Sequence, residues 1–334
     1  MLAPFPYFGG KRDVATDVWA RLGRPKQYIE PFCGSAAVLL AAPEPASLEV
    51  VGDANGFIAN FWRATVHQPA EVARWADYPV SHVDLGARHE WLMGERGRIG
   101  SAMLDANWPG DAKVAGWWLW GQCCWIGSGW CEWARSPDSA RIRRGEGRAG
   151  GGPDSYVSSA GMGVQAAGQI PHVGNAGDLW TSGGRAAWAW LHKLAARLER
   201  VRVVHGDWSR CLNHHYGADD TAVFIDPPYE HYEGLYRAGS VAQEVADWCR
   251  DNASLRIALC GHRGDYDMPG WTLFEWERRR LTYAGTGTKD EEAIWFSPAC
   301  LTVSAPKQMG LLDMLTPPTR RVTVLDADGE PITP

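Results

Sequence analysis

The stretch TAVFIDPPYE, residues 221–230, carries the residue types best placed for chemistry. Asp226 can accept one hydrogen of an exocyclic amine, the carbonyl of Pro227 can accept the other, and Tyr229 offers a face on which a flat ring can stack. Pro227 and Pro228 fix the backbone so that carboxylate, carbonyl and phenol converge. The chemistry this suits is the gripping of a flat, amine-bearing ring. Thr221 and the run Ala222 to Ile225 read as a buried strand that stops where two prolines forbid further pairing. An acid at the carboxyl end of a parallel strand sits where open α/β sheets bind ligands. An ordinary proline turn after a strand fits the same residues, so the rest of the chain must decide.

Three earlier stretches bear on that decision. In FPYFGGK, residues 5–11, Gly9 and Gly10 permit a tight turn and Lys11 projects a cation, which either meets a carboxylate or stays solvated. In QYIEPFCGSAAVLLAA, residues 27–42, Tyr28 and Ile29 end a strand, Glu30, Pro31 and Phe32 form its exit, Gly34 and Ser35 form a tight loop, and a helix follows from Ala36. Such a turn lets a ligand approach backbone amides at a helix N-terminus, although it is not the GxGxxG dinucleotide fingerprint. A second strand, LEVVGD, ends at Asp53, where a carboxylate can receive two ribose hydroxyls side by side. An Asx turn in DANG accounts for the same acid.

Taken in order, YFGGK, YIEPFCGSAAV, VGDAN, HGDW at 205–208 and DPPY resemble the motifs of the Dam-like class of DNA adenine methyltransferases. The resemblance covers roughly residues 1–62 and 200–300. It implies a Rossmann-like α/β fold: a mostly parallel sheet with a late antiparallel hairpin, helices on both faces, and an inserted, mainly helical target-recognition segment. It implies S-adenosylmethionine as cofactor and double-stranded DNA as partner, with no metal. Residue by residue, Lys11 resembles the lysine near the methionine carboxylate, with Tyr7, Gly9 and Gly10 in its loop. Glu30, Pro31, Phe32, Cys33, Gly34 and Ser35 resemble the cofactor loop, and Asp53 the ribose acid. Asp207 resembles the acid that accepts from the cofactor's adenine, with Trp208 in place of a more usual Phe. Cys33 and Ser35 stand where glycine is more common, so weaker cofactor affinity is expected. RNA adenine and DNA cytosine are the nearest alternative targets, and a DNA-binding module on a vestigial methyltransferase fold is the alternative from another class.

These parts imply a catalytic domain of residues 1–64 and 200–303, an insert of 65–199 and a C-terminal tail of 304–334. Within the insert, AKVAGWWLWGQCCWIGSGWCEW at 112–133 reads as an apolar helix running into a glycine turn, its tryptophans packing a core before they stack on bases. Arg135, Arg141, Arg143, Arg144 and Arg148 form a local positive excess suited to DNA contact, or a solvated loop. The Gly- and Ser-rich run 149–184 is too poor in apolar bulk to fold alone and reads as a loop that orders on DNA. Helical spacing returns at 186–200 and feeds the strand VRVV. After DPPY come a helix with Ser240 as N-cap, the strand LRIALCG, the loop GHRGDYD, and a late strand pair in WTLFEWE and EEAIWFSP. His262 and Asp265 in that loop suggest hydrolytic chemistry, but no Ser or Cys stands in an elbow motif.

With a net charge of −6 the chain has no global positive field, so any nucleic-acid surface must be local. Its eight cysteines include no CxxC pair, which argues against a zinc site or disulfide framework and for a reducing cytoplasm. No signal peptide or long apolar span is read from the sequence.

Overall fold

The computed structural model describes residues 1, 3–5, 7, 10–78, 82–105, 107–124, 130–131, 185–212, 220–228, 238–279, 289–303 and 322–324. Among these, the strands are β1 (Gln27–Glu30), β2 (Leu48–Asp53), β3 (Val201–His205), β4 (Thr221–Ile225), β5 (Arg256–His262), β6 (Thr272–Arg279), β7 (Lys289–Phe296) and β8 (Val322–Val324). The α-helices are α1 (Ala15–Leu22), α2 (Ala37–Leu40), α3 (Gly56–His67), α4 (Pro69–Ala76), α5 (His82–Ala102), α6 (Ala112–Cys124), α7 (Arg185–Leu198) and α8 (Ala238–Asp251). The chain divides into two compact units that alternate along the sequence: Met1–Arg12, Cys33–Ala41 and Val50–Cys211 form the first, and Asp13–Phe32, Ala42–Glu49 and Leu212–Pro334 the second.

In the first unit β3 neighbours β2, and α6 packs against α4, α3 and α5. Two helix starts in this unit have a local cause. Asn55 accepts the Phe57 N–H at 3.0 Å and caps α3, and Pro69 opens α4, where a missing N–H costs nothing. Helix α6 is apolar around most of its surface and is buried accordingly, with Trp118 and Trp120 fully enclosed. Trp118 meets Phe5 edge to face at 4.9 Å, and Phe5 meets Phe61 at 5.4 Å. The side chain of Asn60 donates to the Asp111 carbonyl at 3.1 Å and accepts the Asp111 N–H at 2.8 Å, which ties α3 to the residue before α6. Trp117, Trp118, Trp120 and Trp130 therefore pack within the unit, as the sequence suggested; Trp125 and Trp133 lie outside the described residues. Two tryptophans also house a cation: the Arg88 guanidinium lies 4.2 Å from the Trp120 ring centre and 5.0 Å from that of Trp117.

The second unit is an α/β layer with strand order β1-β4-β5-β7-β6-β8. Strands β1, β4 and β5 are parallel, while β7 enters antiparallel between β5 and β6. The mostly parallel sheet with a late antiparallel pair is thus as expected. Every residue of β4 is buried, which accounts for its unbroken apolar run. Helix α1 sets Trp19 against Tyr28 of β1 at 4.8 Å. Its Arg21 lies 4.7 Å from the ring centre of Phe274 and 4.8 Å from that of Phe296, so a buried cation is held between aromatic faces of β6 and β7.

Three expectations change. Helix α8 begins at Ala238, so Ser240 lies inside it and is not its cap; Ala238 already favours helical backbone. Strand β6 continues through Arg278 and Arg279, because its ladder with β7 persists to Lys289. Within the segment read as a tail, Val322–Val324 pair antiparallel with β6, as their β-branched side chains favour. The remainder of 304–334, the glycine-rich run 149–184 and the five insert arginines lie outside the described residues.

Trp118→Ala is expected to cost about 3–5 kcal/mol by emptying the Phe5–Phe61 packing site, read as a lowered urea midpoint.

Candidate active site

In the first unit the turn after β1 is built by hydrogen bonds that fix Gly34. The Cys33 N–H donates to the Gly52 carbonyl at 2.8 Å, and the Ala36 N–H donates to the Cys33 carbonyl at 2.6 Å. Gly34 takes φ +45°, and a Cβ there would come within 2.6 Å of the Tyr7 ring. Its N–H donates to Asp53 Oδ2 at 3.1 Å, and its carbonyl accepts from Trp62 Nε1 at 3.2 Å. Ala36 also has a left-handed φ of 49° although it carries a side chain. Nothing in the residue types signals this, since alanine does not announce such a backbone. Cys33 and Ser35 are both buried.

Asp53 ends β2 as expected. Its Oδ1 accepts the Asn55 N–H at 2.8 Å, so the Asx turn is present, and Oδ2 still reaches Gly34. Loss of water around the half-buried carboxylate pushes its pKa up to about 6, opposed by these two backbone donors. The Gly206 N–H donates to the Asp53 carbonyl at 3.1 Å, which brings the end of β3 alongside. There Asp207 is exposed and accepts the Ser209 N–H at 3.0 Å, capping a 3-10 turn of Trp208–Cys211 in which Trp208 is buried. Burial, aided by the Asp53 charge, pushes the Cys211 thiol up to about 12, so that cysteine stays protonated. In the N-terminal loop the Gly10 N–H donates to the Tyr7 carbonyl at 3.0 Å. Lys11 is only 3% exposed, so it is not a solvated lysine. Gly9 lies outside the described residues.

In the second unit the parallel register brings three strand ends to one edge. Tyr28 of β1 lies beside Ala222 of β4, and Ile225 of β4 lies beside Leu259 of β5. Glu30, Asp226 and His262 consequently end or follow neighbouring strands on the same side. Glu30 is buried and its Oε2 accepts the Tyr28 hydroxyl at 2.9 Å; the two side chains share a face because they stand two residues apart on a strand. Burial, then the Glu30 charge, holds the Tyr28 phenol well above its usual pKa, so it remains a donor. Pro31 is buried and Phe32 half-buried. Asp226 is half-buried, Pro227 buried and Pro228 half-buried, while Tyr229 lies outside the described residues. The loop after β5 is closed by the Asp265 N–H donating to the His262 carbonyl at 3.0 Å and the His262 N–H donating to Asp265 Oδ2 at 2.6 Å.

An α/β sheet whose parallel strands end in acids, in a chain that also carries a glycine turn tied to a strand-tip carboxylate, is consistent with the methyltransferase fold. Residues 7–79 match the family model described as D12 class N6 adenine-specific DNA methyltransferase. The matched stretch includes Tyr7, Lys11, Gly34 and Asp53, and it supports a DNA adenine methyltransferase enzyme, whose substrate is DNA. No curated protein matches the chain. Among the described residues no helix is long and apolar enough to cross a membrane, and no group of three or more His, Cys, Asp or Glu could hold a metal ion.

Gly34→Ala is expected to destabilise the protein by about 1–3 kcal/mol, because the new methyl must displace the Tyr7 ring at a positive φ. The check is a thermal melt; an unchanged midpoint would show that the turn has another conformation.

Proposed function

We propose that the protein is a site-specific DNA adenine methyltransferase that moves a methyl group from S-adenosylmethionine to the exocyclic amine of a flipped-out adenine. The observation that carries this is Asp226, half-buried at the end of a fully buried strand and followed by a buried proline, in a chain whose N-terminal part matches the adenine-specific family.

The donor set suits the cofactor. An ionised carboxylate has about four acceptor positions, and Asp53 uses two on backbone N–H groups, which leaves capacity for ribose hydroxyls. Exposed Asp207 can accept from an adenine amine, Lys11 supplies a cation for the methionine carboxylate, and Tyr7, Gly9, Gly10 and the Glu30–Ser35 segment are the further residues assigned to the cofactor. When bound, the cofactor supplies an electrophilic methyl on a sulfonium.

An aromatic amine is a poor nucleophile because its lone pair is spread into the ring. Asp226 and the Pro227 carbonyl accept both amine hydrogens, localise that pair on nitrogen and orient it. Pro228 keeps the segment rigid, and Tyr229 stacks on the base and replaces the neighbours it left in the duplex. Arg135, Arg141, Arg143, Arg144 and Arg148 hold DNA phosphates or base edges. On this proposal the enzyme works with its DNA in the cytoplasm of a bacterium or a phage-infected host.

Asp226→Ala is expected to abolish transfer of labelled methyl to duplex DNA while leaving cofactor affinity within about twofold of the wild type. Orientation in such a site is worth about 7–11 kcal/mol, so retention of most activity would remove Asp226 from the mechanism. The same assay with RNA or no polymer separates the rival targets, and label in RNA alone would reject DNA.

Asp53 also sets a pH dependence. Only the ionised form accepts two hydroxyls, and the carboxyl takes up its proton as pH falls through about 6. Adenosine affinity is therefore expected to be level above about pH 7 and to fall toward tenfold per unit below about 6. Calorimetry from pH 5 to 8 reads this on a ligand without a titrating group in that range, and a flat profile would free Asp53 of the ribose role.

A further inference from the structure

The loop that follows β5 lays an aromatic donor against Gly261, on the strand paired with the one that ends before the Asp-Pro-Pro segment. The register carries Ile225 next to Leu259, so Asp226 leaves β4 directly after that pair while Cys260 and Gly261 continue β5 from it. Gly261 is crowded on its open side: a Cβ there would lie 2.6 Å from Tyr266 Cε2, 3.1 Å from Trp295 Cζ3 and 3.2 Å from Asp265 Oδ2. The missing side chain is what lets the Tyr266 ring lie against the strand. Three constraints hold that ring. Trp295 of β7 meets it edge to face at 5.1 Å, the His262–Asp265 turn fixes the backbone before it, and Gly264 supplies the positive φ of 91° inside that turn.

The hydroxyl is different. Tyr266 is half-buried, and its hydroxyl makes no hydrogen bond to a described residue. Burial, with the charge of Asp265 and also that of Asp226, holds the phenol far above its usual pKa, so it stays a neutral donor. Asp226 and the Pro227 carbonyl, by contrast, only accept. An adenine that gives both amine hydrogens to them still carries a ring-nitrogen acceptor on either side of the amine, N1 and N7, and each needs a donor. Guanine carries a hydrogen on N1 and a carbonyl in place of the amine, so the same pair of groups rejects it.

We propose that Tyr266 is a specificity-determining residue whose hydroxyl donates to a ring nitrogen flanking the amine of the target base. The proposal rests on the adenine methyltransferase reading and deepens it: base choice is made jointly by the acceptors Asp226 and Pro227 and the donor Tyr266.

The test compares methyl transfer from labelled S-adenosylmethionine to three duplexes that differ only at the base the wild type methylates: adenine, 1-deazaadenine or 7-deazaadenine. Tyr266→Phe keeps the ring against Gly261 and removes the donor. The variant is expected to lose about tenfold in kcat/KM on adenine and nothing on the analogue that lacks the partner nitrogen, where the wild type is already slowed by the same factor. Each ratio is taken within one enzyme preparation, so partial loss of fold cancels. An equal loss on all three duplexes, or no loss on any, overturns the proposal. A wild type that labels no DNA would instead sink the methyltransferase reading, and that is seen before the variant is compared.

Discussion

Two backbone N–H groups converge on the carboxylate of Asp53, and much of the first unit follows from that. One comes from Gly34 and the other from Asn55, so the carboxylate joins a glycine turn to the start of α3. The Asp53 carbonyl takes a third N–H from Gly206, which draws in the end of β3 and its 3-10 turn. A charge that has lost part of its water is unstable unless donors replace it, and here the donors are backbone groups with no rotamer to lose. The aromatic layer beneath serves the same end. Trp62 holds the far side of Gly34 through its indole, Phe5 and Phe61 pack against Trp62, and Trp118 packs against both of them.

The second unit rests on a different device, parallel pairing, which collects strand ends at one edge. Buried Glu30 is steadied by Tyr28, and Asp226 by the prolines that follow it. Arg21, enclosed between Phe274 and Phe296, fastens α1 to the antiparallel strands, and the Leu301 N–H donates to the Arg21 carbonyl at 2.8 Å. The strand tips are thus steadied by their own neighbours, and the sheet that carries them is fastened by residues well away from them.

Much of this could be read from sequence wherever the signal was local. The buried strand before Asp226, the acid at the end of β2, the stripe of α7 and the late hairpin each announce themselves by period or composition. Gly34 was singled out for a turn that proves to need its φ. What could not be read depends on neighbours distant in the chain. Lys11 looks solvated or paired with equal justice until its burial is seen, and Ala36 hides a left-handed backbone. Asn60 and Asp111 look like surface residues until they bond each other, and β8 emerges from a proline-rich segment only because β6 offers an edge. Tyr266 carries no signal of its own beside His262 and Asp265, since nothing in GHRGDYD reveals that the ring folds back onto Gly261.

The strand order has a further consequence for how the chain is made. β1 leaves the ribosome before its partner β4, which follows about 190 residues later, and at ordinary translation speeds that is a delay of about 10–40 s. During that interval Tyr28 and Ile29 have no β4 to shelter them, and the nascent chain must carry an open apolar edge. The second unit is thus completed only after the whole first unit has been made, and its yield in a cell depends on how well that edge is guarded in the meantime.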